Sequence, residues 1–453
     1  MIEIAVLAIV MFGVNAVFWS SVGIARRIEQ WRHQRSGHAR HAALPGTRLT
    51  ADDVAILVAA HNEELVIENT IESALALVPA SNVHVISDGS VDRTAELACE
   101  AGVQVLELDP NKGKAGALAA GIEHFELADN FSVVVLLDAD TRLAADYLET
   151  GLRSFDDPEV VAVAGRSATI VTPAPETRLG RFLISYRERV YVAVQLLIKY
   201  GQAARKANVV SIVPGFASMY RTSILSRIDI AAQGLVIEDF NMTFEVHAKQ
   251  LGRIAFHPSA AVAYTQDPDN FREYTNQVRR WTLGFWQTVR RHTWQANKFW
   301  LALSCYIVEL VVSSVVLILF LPLLLATLAA AAIVRWSETP PAAVVEFAHI
   351  MPPLYLVLGI LIPDLVLTVL AAVAMRRPGY LLYAPLFPLM RIVDAYICLR
   401  TLPQAWSFRS TGRWTSPTRR SGTGSPSEAS AEEGKNESVP DPVRLARADL
   451  PSV

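Results

Sequence analysis

Two acidic groups of this chain lie where predicted strands end, and the spacing within one of them suits a metal ion. Asp138 and Asp140 follow the apolar run at residues 133–137, and Asp88 follows the run "NVHVIS". Side chains two residues apart in a strand point to the same side. Asp138 and Asp140 could therefore hold one hard divalent cation, with diphosphate oxygens completing its shell. The simpler interpretations are a polar strand end for "DAD" and a helix-capping turn residue for Asp88.

Charged residues near two predicted helix starts extend this set. Lys112 and Lys114 in "NKGKAGAL" could neutralise phosphates close to the start of a helix, although lysines in loops are usually only solvated. Glu238 and Asp239 open the helix predicted in "VIEDFNMTFEVHAKQLG", where a carboxylate also complements the helix dipole. Taken singly, each of these residues is compatible with a catalytic role and with a purely structural one.

The stretch "QVRRWTLGFWQ" at residues 277–287 places aromatic rings and fixed positive charge just before a long apolar region. Trp281 could belong to an interfacial aromatic belt or have a functional role beside Gln277 and Arg280. From Phe285 onward we favour an interfacial aromatic belt and contact with anionic lipid. The residues assigned to that belt and lipid contact are Phe285, Trp286, Trp294, Arg290 and Arg291.

Alternating strand and helix patterns must position these residues. Strands are predicted in "VAILVAA", "NVHVIS", "VQVLEL" and "VVVLL", and helices in the segments that follow the first three of them. Residues 210–225, "VSIVPGFASMYRTSIL", predict a strand, a glycine turn, a second strand and a helix. The repeated order predicts an α/β domain with a mainly parallel sheet covered on both faces. Ligands of such sheets bind beyond the carboxyl ends of the strands, where the acidic residues lie.

Several functional classes are excluded. The first strand is followed by "AAHNEE", which is not the G-x-G-x-x-G of a dinucleotide-binding dehydrogenase, and no Walker sequence is present. A net charge of -3 gives no reason to expect nucleic acid as a partner. The three cysteines, Cys99, Cys305 and Cys398, are too scattered for a disulfide framework or a zinc site, and they suit a reducing cytosol.

Apolar segments predict a membrane protein. With 52% apolar and 19% charged residues, the chain of 453 residues has a mixed character. Residues 4–25 carry no charge and can span a bilayer, and the arginines that follow from Arg26 place the next segment in the cytosol. The region from Trp300 to Val334 exceeds one span, so its start could lie along the interface, and Glu309 within it has no assigned role. Residues 352–375 form a further predicted span.

Residues 379–399 are ambiguous. A full crossing would put the basic segment "FRSTGRWTSPTRR" on the wrong side, so we favour an interfacial or re-entrant path. Arg391 and Asp394 could pair on one helix face there, and charged groups at such depth suggest function. The composition from Ser421 onward predicts disorder.

Five regions are therefore predicted. They are an N-terminal transmembrane helix at 1–25, a basic cytosolic linker at 26–51, an α/β domain at 52–298, a membrane region of two or three spans plus an interfacial helix at 299–400, and a basic, then disordered cytosolic tail at 401–453. We expect a multi-pass protein of the plasma membrane with a cytosolic α/β domain.

Six short motifs in order resemble one family, the membrane-bound inverting glycosyltransferases of family 2, especially synthases of poly-N-acetylglucosamine, chitin oligosaccharides, hyaluronan and cellulose. The motifs are "HNEE", "SDGSVDRT", "NKGKAGAL", "DAD", "IED" and "QVRRW", covering about residues 52 to 290. The resemblance implies a GT-A fold, a Rossmann-like α/β domain. The chain departs from the family pattern at Ile237, where Thr is frequent, and in lacking a proline before "HNEE".

The resemblance also implies roles for individual residues. Asp239 would be the general base, and Asp140 would bind the metal, Mg2+ or Mn2+. Gln277, Arg280 and Trp281 would line the acceptor and diphosphate side. The donor, a UDP-sugar, would be bound by His61, Glu63, Asp88, Lys114 and Asp138.

The expected function is transfer of a sugar, N-acetylglucosamine as the best guess, from a UDP-sugar to a growing glycan at the cytosolic membrane face. Alternatives are a single addition to a lipid-linked acceptor and an inactive sugar-nucleotide-binding scaffold. Hyaluronan and cellulose synthases have more spans than the three or four predicted here. Export by this chain alone is therefore in doubt, and an accessory membrane subunit or a homo-oligomer is possible.

Overall fold

A computed structural model describes residues 13–35 and 48–408. The predicted disordered tail from Ser421, residues 4–12 of the first predicted span and residues 36–47 of the basic linker lie outside these ranges. A helix, α1, extends from Val14 to Arg35. It therefore continues ten residues past the end predicted for the span at Ala25.

A seven-stranded sheet forms the centre of the α/β domain, in the order β3-β2-β1-β4-β8-β6-β9. Strand β1 pairs in parallel with β2 and β4, and β2 pairs in parallel with β3. Strand β8 is antiparallel to both neighbours, so the sheet is mainly parallel, as predicted. A second, three-stranded sheet has the order β5-β10-β7. The strands are β1 Val54–Ala60, β2 Val83–Asp88, β3 Gln104–Leu108, β4 Val133–Asp138, β5 Thr141–Leu143, β6 Val160–Ala164, β7 Arg166–Thr169, β8 Ala217–Arg221, β9 Arg253–Ala255 and β10 Val262–Thr265.

Helices cover both faces of the large sheet. Ile56 and Val58 of β1 belong to one buried cluster, and Leu57 and Ala59 belong to another on the opposite face. An apolar strand buried on both sides explains why "VAILVAA" lacks the alternation of a half-exposed strand. The helices of this domain are α2 Ile67–Leu75, α3 Thr94–Glu100, α4 Gly113–His124, α5 Leu127–Asn130, α6 Tyr147–Leu152, α7 Arg178–Val192, α8 Tyr200–Gln202, α9 Glu238–Ala248 and α10 Phe271–Arg291. A π-helical segment, Ala193–Lys199, joins α7 to α8.

The strand predicted at the start of residues 210–225 is absent. Polar groups of α9 bind this segment instead: Val213 N donates to Thr243 Oγ1 at 2.9 Å, and Val210 O lies 2.9 Å from His247 Nε2. The second predicted strand is β8, and the predicted helix after it is a 3-10 helix, Thr222–Arg227. The first prediction was wrong because the apolar run packs beside a helix.

The interfacial aromatic belt is also wrong for two of its residues. Phe285 and Trp286 are 5% and 2% exposed and pack inside the protein. Trp286 Nε1 donates to the carbonyl of Cys398 in a C-terminal helix. Trp294, in contrast, is 57% exposed, as a belt residue would be. Of the two arginines assigned to lipid, Arg291 forms an ion pair with Asp229.

The C-terminal region is helical. Its helices are α11 Lys298–Trp336, α12 Ala342–Ile350, α13 Pro353–Ala374 and α14 Phe387–Ser407, with short 3-10 helices at Pro378–Leu382 and Ala384–Leu386. Within the described residues, two helical stretches are long and apolar enough to cross a membrane, Lys298–Trp336 and Ala342–Ala374, with mean hydropathy 2.7 and 2.6.

The start of α11 packs on the α/β domain. The ring of Phe299 stacks on His247 of α9 with 4.0 Å between centroids. Glu309, farther along α11, accepts hydrogen bonds from the backbone and side chain of Asn15 in α1. These contacts fix the helix against both the domain and the N-terminal helix.

The charged residues of α14 bind other elements. Asp394 accepts hydrogen bonds from the hydroxyl groups of Tyr186 and Tyr274, at 2.8 and 2.6 Å. Arg391 lies 3.5 Å from Asp364 of α13. Helix α14 is therefore attached to the α/β domain through α7 and α10.

Candidate active site

The strands that carry the predicted site residues are neighbours in the sheet. Strands β2, β1 and β4 are adjacent and parallel, so their carboxyl ends meet at one edge. The chain leaves β1 toward β2 on one side and reaches β4 on the other, which makes this edge the usual position of a ligand crevice. Asp88 and Asp138 are the last residues of β2 and β4, and His61 follows β1.

His61 and Asp88 belong to one hydrogen-bonded group at this edge. His61 Nδ1 lies 2.7 Å from the carbonyl of Asp88, and the backbone N–H of Lys112 donates to Asp88 Oδ1 at 2.7 Å. Asn111 Nδ2 lies 3.2 Å from His61 Nδ1. Gly89 has φ +65°, and a Cβ there would lie 3.1 Å from Asn111 N, so the turn after Asp88 requires glycine. Asp88 is fully buried, and its Oδ2 has no hydrogen-bond partner within the described part of the chain.

Glu63 lies beside this group in the loop after β1. Its N–H donates to Thr94 Oγ1 at 2.8 Å, and its carbonyl accepts from Val66 and Ile67 at the start of α2. The residue is buried. These backbone contacts fix the loop, and the donor-binding role of Glu63 stays a prediction.

Lys114 joins two acidic residues from distant parts of the chain. Its Nζ lies 2.6 Å from Asp138 Oδ1 and 2.8 Å from Glu238 Oε1. Burial lowers the pKa of Lys114, but the two carboxylates outweigh burial and hold the pKa above its usual value. The end of β4, the start of α4 and the start of α9 are therefore held together around one ammonium group.

Asp239 lies next to this ion-pair group. Its Oδ1 accepts from the N–H of Phe240 at 2.7 Å, and its Oδ2 accepts from the N–H of Gly215 at 3.4 Å. Burial and the neighbouring Glu238 raise the pKa of Asp239 to about 7, against the opposing effect of Lys114. A carboxylate with such a pKa exchanges protons near neutrality, which suits a general base.

Gly215 lets three site residues approach each other. A Cβ on Gly215 would lie 3.1 Å from Glu238 Oε1, 3.1 Å from Lys114 Nζ and 3.3 Å from Asp239 Cβ. Any larger residue would push against this group. The loop before β8 therefore forms one wall of the site.

Asp140 does not lie in a strand with Asp138. Strand β4 ends at Asp138, and Asp140 lies in the turn between β4 and β5, so the alternation argument does not apply. Both side chains are partly exposed. Within the described residues, no group of three or more His, Cys, Asp or Glu side chains could hold a metal ion. Two carboxylates nevertheless fit Mg2+ or Mn2+, because such ions commonly take one or two carboxylates, waters and substrate phosphates.

Gln277 and Trp281 meet at Arg187, a residue from α7. Arg187 donates a hydrogen bond to Gln277 Oε1, and its guanidinium carbon lies 4.1 Å from the centre of the Trp281 ring. Arg280 is exposed on the same helix. The structure thus brings Gln277 and Trp281 together, while the roles of all three residues stay predictions.

The helix of Gln277 and Trp281 also touches the loop that leads into α9. A Cβ on Gly284 would lie 2.9 Å from Ile237 Cβ, and Gln287 Oε1 accepts from the N–H of Val236 at 3.0 Å. Ile237 immediately precedes Glu238 and Asp239. Helix α10 is therefore packed against the segment that carries the candidate base.

Sequence reasoning missed three residues of this arrangement. Glu238 was noted only for the helix dipole, Gly215 only as a turn, and Arg187 not at all. The first could have been found as the neighbour of Asp239 in "IED". No local signal identifies Arg187, because Asp267, Gln277 and Trp281, which it contacts, are distant in the sequence.

Comparisons with known proteins agree with the resemblance. Residues 55–229 match the family model described as Glycosyl transferase family 2. The chain is 28% identical over 289 residues to the probable glycosyltransferase YdaM of Bacillus subtilis, covering 60% of this chain and 62% of that protein. It is 25% identical over 254 residues to a poly-beta-1,6-N-acetyl-D-glucosamine synthase of Staphylococcus epidermidis, covering 54% of this chain and 58% of that protein. The match spans about three fifths of the length of these relatives.

Among solved structures, a mannosyltransferase from Pyrobaculum calidifontis in complex with GDP-Man and Mn2+ is 18% identical, with a TM-score of 0.46. That match covers 82% of this chain and 99% of the other.

Proposed function

We propose that this protein, which contains a Glycosyl transferase family 2 domain, is an inverting transferase that moves a sugar from a UDP-sugar to a glycan acceptor at the cytosolic face of a membrane. The observation that carries the proposal is the position of Asp239. It has a pKa of about 7 and follows Glu238, which Lys114 joins to Asp138. Asp239, the candidate proton acceptor, therefore lies beside the ammonium group of Lys114, which could contact a diphosphate.

The reaction requires a base on one side of the sugar and charge stabilisation on the other. Asp239 takes the proton of the attacking hydroxyl group as the hydroxyl oxygen forms a bond to the anomeric carbon. The bond from that carbon to the diphosphate oxygen breaks, and UDP leaves with its electron pair. Lys114 supplies positive charge near the departing diphosphate.

We assign the donor nucleoside to the group around Asp88. Its buried Oδ2 has no partner in the described residues, so it is available to accept a hydrogen bond from the N–H of a uracil ring. His61 and Glu63 border the same loop, and we propose that they support the donor.

Asp138 and Asp140 are the residues that would hold Mg2+ or Mn2+ together with the donor diphosphate. When bound, the ion would neutralise charge on the departing diphosphate. Because Lys114 contacts Asp138, the protein also balances this carboxylate with its own charge.

We propose that the acceptor lies on the side of Gln277, Arg280 and Trp281. A sugar ring has an apolar C–H face, for which an indole is a suitable platform. The exposed Arg280 offers positive charge suited to phosphate oxygens. Relatives named poly-beta-1,6-N-acetyl-D-glucosamine synthase support N-acetylglucosamine as the transferred sugar.

The two candidate spans support a membrane protein. We propose a multi-pass protein of the plasma membrane with its α/β domain in the cytosol, in contact with lipids. The packing of α11 and α14 on that domain would keep the site close to the bilayer. If the glycan is exported, we propose that an accessory membrane subunit or a second copy of this chain completes the path.

A product assay tests the function. The purified protein in lipid is given individual labelled UDP-sugars with Mg2+ or Mn2+, and the products are separated by size. Long chains from UDP-N-acetylglucosamine are expected. A product with one added sugar on a lipid would indicate the single-addition alternative, and absence of turnover with every UDP-sugar would indicate an inactive scaffold.

A further inference from the structure

Helix α7 buries charged residues that the proposed chemistry does not use. Arg187 is only 4% exposed, and Glu188 and Arg189 beside it are buried as well. Arginine is almost never buried to this extent unless it is paired. The partners of Arg187 therefore indicate what it does.

A rigid group of residues fixes one side of Arg187. Its Nε lies 3.4 Å from Oδ1 of the buried Asp267. The same oxygen accepts from the hydroxyl of Tyr191 at 2.9 Å, and the other oxygen accepts from the hydroxyl of Thr169 at 2.7 Å. Asp267 is thus saturated by donors from α7 and β7.

The other side of Arg187 contacts the proposed acceptor residues. One guanidinium nitrogen donates to Gln277 Oε1, and the guanidinium carbon lies over the ring of Trp281, 4.1 Å from its centre. A cation over an indole face is attracted by the π electrons, and arginine also stacks there. The arginine therefore covers part of one face of the ring and fixes the amide of Gln277 at the same time.

We propose that Arg187 is a positioning residue of the acceptor site, which sets the orientation of Trp281 and leaves its opposite face for the acceptor sugar. This inference rests on the proposed function. Arg187 does not touch the reacting atoms; it acts through Trp281 and Gln277. Thr169 of the small sheet binds Asp267, Asp267 holds Arg187, and Arg187 in turn holds the ring of Trp281.

Arg189, two residues away, has a different kind of partner. It pairs with Asp364 of α13, with 2.6 Å between Nη2 and Oδ1. That contact attaches α7 to the candidate span. Arg189 thus attaches the helix to α13, whereas Arg187 is proposed to orient the site.

The test measures KM for acceptor and donor and kcat in Arg187→Lys, with labelled UDP-N-acetylglucosamine and a short N-acetylglucosamine oligosaccharide as acceptor. Lysine keeps a positive charge beside Asp267 but lacks the guanidinium group that lies over the Trp281 ring. We expect the acceptor KM to rise about three- to tenfold, in keeping with the strength of a stacked cation, while the donor KM stays unchanged. The matched control is Arg181→Lys on the same helix, because the guanidinium group of Arg181 donates to the carbonyls of Pro175 and Glu176.

A double-substitution cycle separates positioning from a general structural effect. In a Trp281→Ala background, Arg187→Lys should change the acceptor KM clearly less than in the parent, because the ring under the guanidinium group has been removed and only the contact with Gln277 remains. If Arg187→Lys does not fold, the pair Arg187→Gln with Asp267→Asn removes both charges and takes its place. An unchanged acceptor KM in an active protein, or equal effects in both backgrounds, would overturn the inference. A parent protein without turnover would instead refute the proposed function.

Discussion

Lys114 Nζ lies 2.6 Å from Asp138 Oδ1, so a lysine at the start of one helix neutralises the carboxylate at the end of a neighbouring strand. The same ammonium group lies 2.8 Å from Glu238. One ammonium group thus offsets one of the two negative charges at this point. It would reduce the repulsion that the proposed diphosphate meets at Asp138.

The first prediction concerns this ammonium group. Lys114→Met leaves Asp138 and Glu238 unbalanced, so UDP should bind at least about tenfold more weakly, the scale of one lost charge-assisted hydrogen bond, and transfer should fall further. Calorimetry with UDP and turnover of a labelled UDP-sugar measure the two effects. Lys112→Met is the matched control, because Lys112 is exposed and holds Asp88 only through its backbone N–H. Equal losses in both variants would contradict a specific role for Lys114.

The second prediction concerns Asp239, the proposed general base. Asp239→Asn cannot accept a proton, so transfer should fall by a factor of about 100 or more while UDP binding is retained. Single-turnover assays and calorimetry check the two parts. Asp229→Asn, at an exposed carboxylate that pairs with Arg291, should keep full transfer. Full activity of Asp239→Asn would refute the assignment.

The third prediction is a pH dependence from the same residue. Burial and Glu238 raise the pKa of Asp239 to about 7, and only the ionised form can act as a base. The value of kcat/KM should therefore rise with pH up to about 7 and then level off. A rate profile measured from pH 5 to 9 checks this. A profile that is flat between pH 5 and 8 would exclude Asp239 as the titrating base.

The same pKa shift makes the folded protein more stable at low pH, whereas kcat/KM is expected to rise with pH. In the unfolded chain Asp239 titrates near its ordinary value of 3.8, and in the folded protein near 7. The folded state thus binds its proton more tightly, so this contribution to the free energy of unfolding is fully present below pH 3.8 and is lost as the pH rises through about 7. Unfolding of the parent and of Asp239→Asn, compared across this window, isolates the contribution.

The fourth prediction concerns the glycine wall of the site. Gly215→Ala would place a methyl group 3.1 Å from Lys114 Nζ and Glu238 Oε1. Displacement of these groups should lower kcat by roughly tenfold to a hundredfold, the scale of a small misplacement of reacting groups. Gly379→Ala is the control, because a Cβ at Gly379 meets nothing within 4 Å. Normal kcat in Gly215→Ala would contradict this prediction, because it would show that the loop can move to accommodate the methyl group without displacing Lys114 and Glu238.

Much of the fold could be predicted because its signals are local. The runs that form β1 and β4 are apolar and β-rich over their whole length, and burial on both faces leaves them no other conformation. The segment from Val210 to Val213 has the same composition but is not a strand. Its hydrogen bonds go to Thr243 and His247 of α9, and such distant partners leave no periodicity in the sequence.

The candidate site likewise contains residues that local sequence signals predict and residues that only distant contacts bring together. Asp88 and Asp138 were placed correctly at strand ends, because the end of a strand is a local property. The contact of Arg187 with Gln277 joins residues 90 positions apart on two packed helices. Burial of Trp286 likewise depends on α14, which packs against α10 only in the folded chain. Composition alone could not separate that ring from an interfacial belt.

The fifth prediction concerns the aromatic platform. Trp281→Ala removes the indole on which the acceptor sugar is proposed to stack, so the acceptor KM should rise about tenfold while the donor KM changes less than twofold, since an aromatic contact contributes about 1 kcal/mol or more beyond burial. Steady-state kinetics with each substrate varied in turn measure the two constants. Trp294→Ala, at a 57% exposed ring, should leave both unchanged. A larger rise in the donor KM would move Trp281 to the donor side, because stacking on the transferred sugar or the nucleotide affects donor binding first.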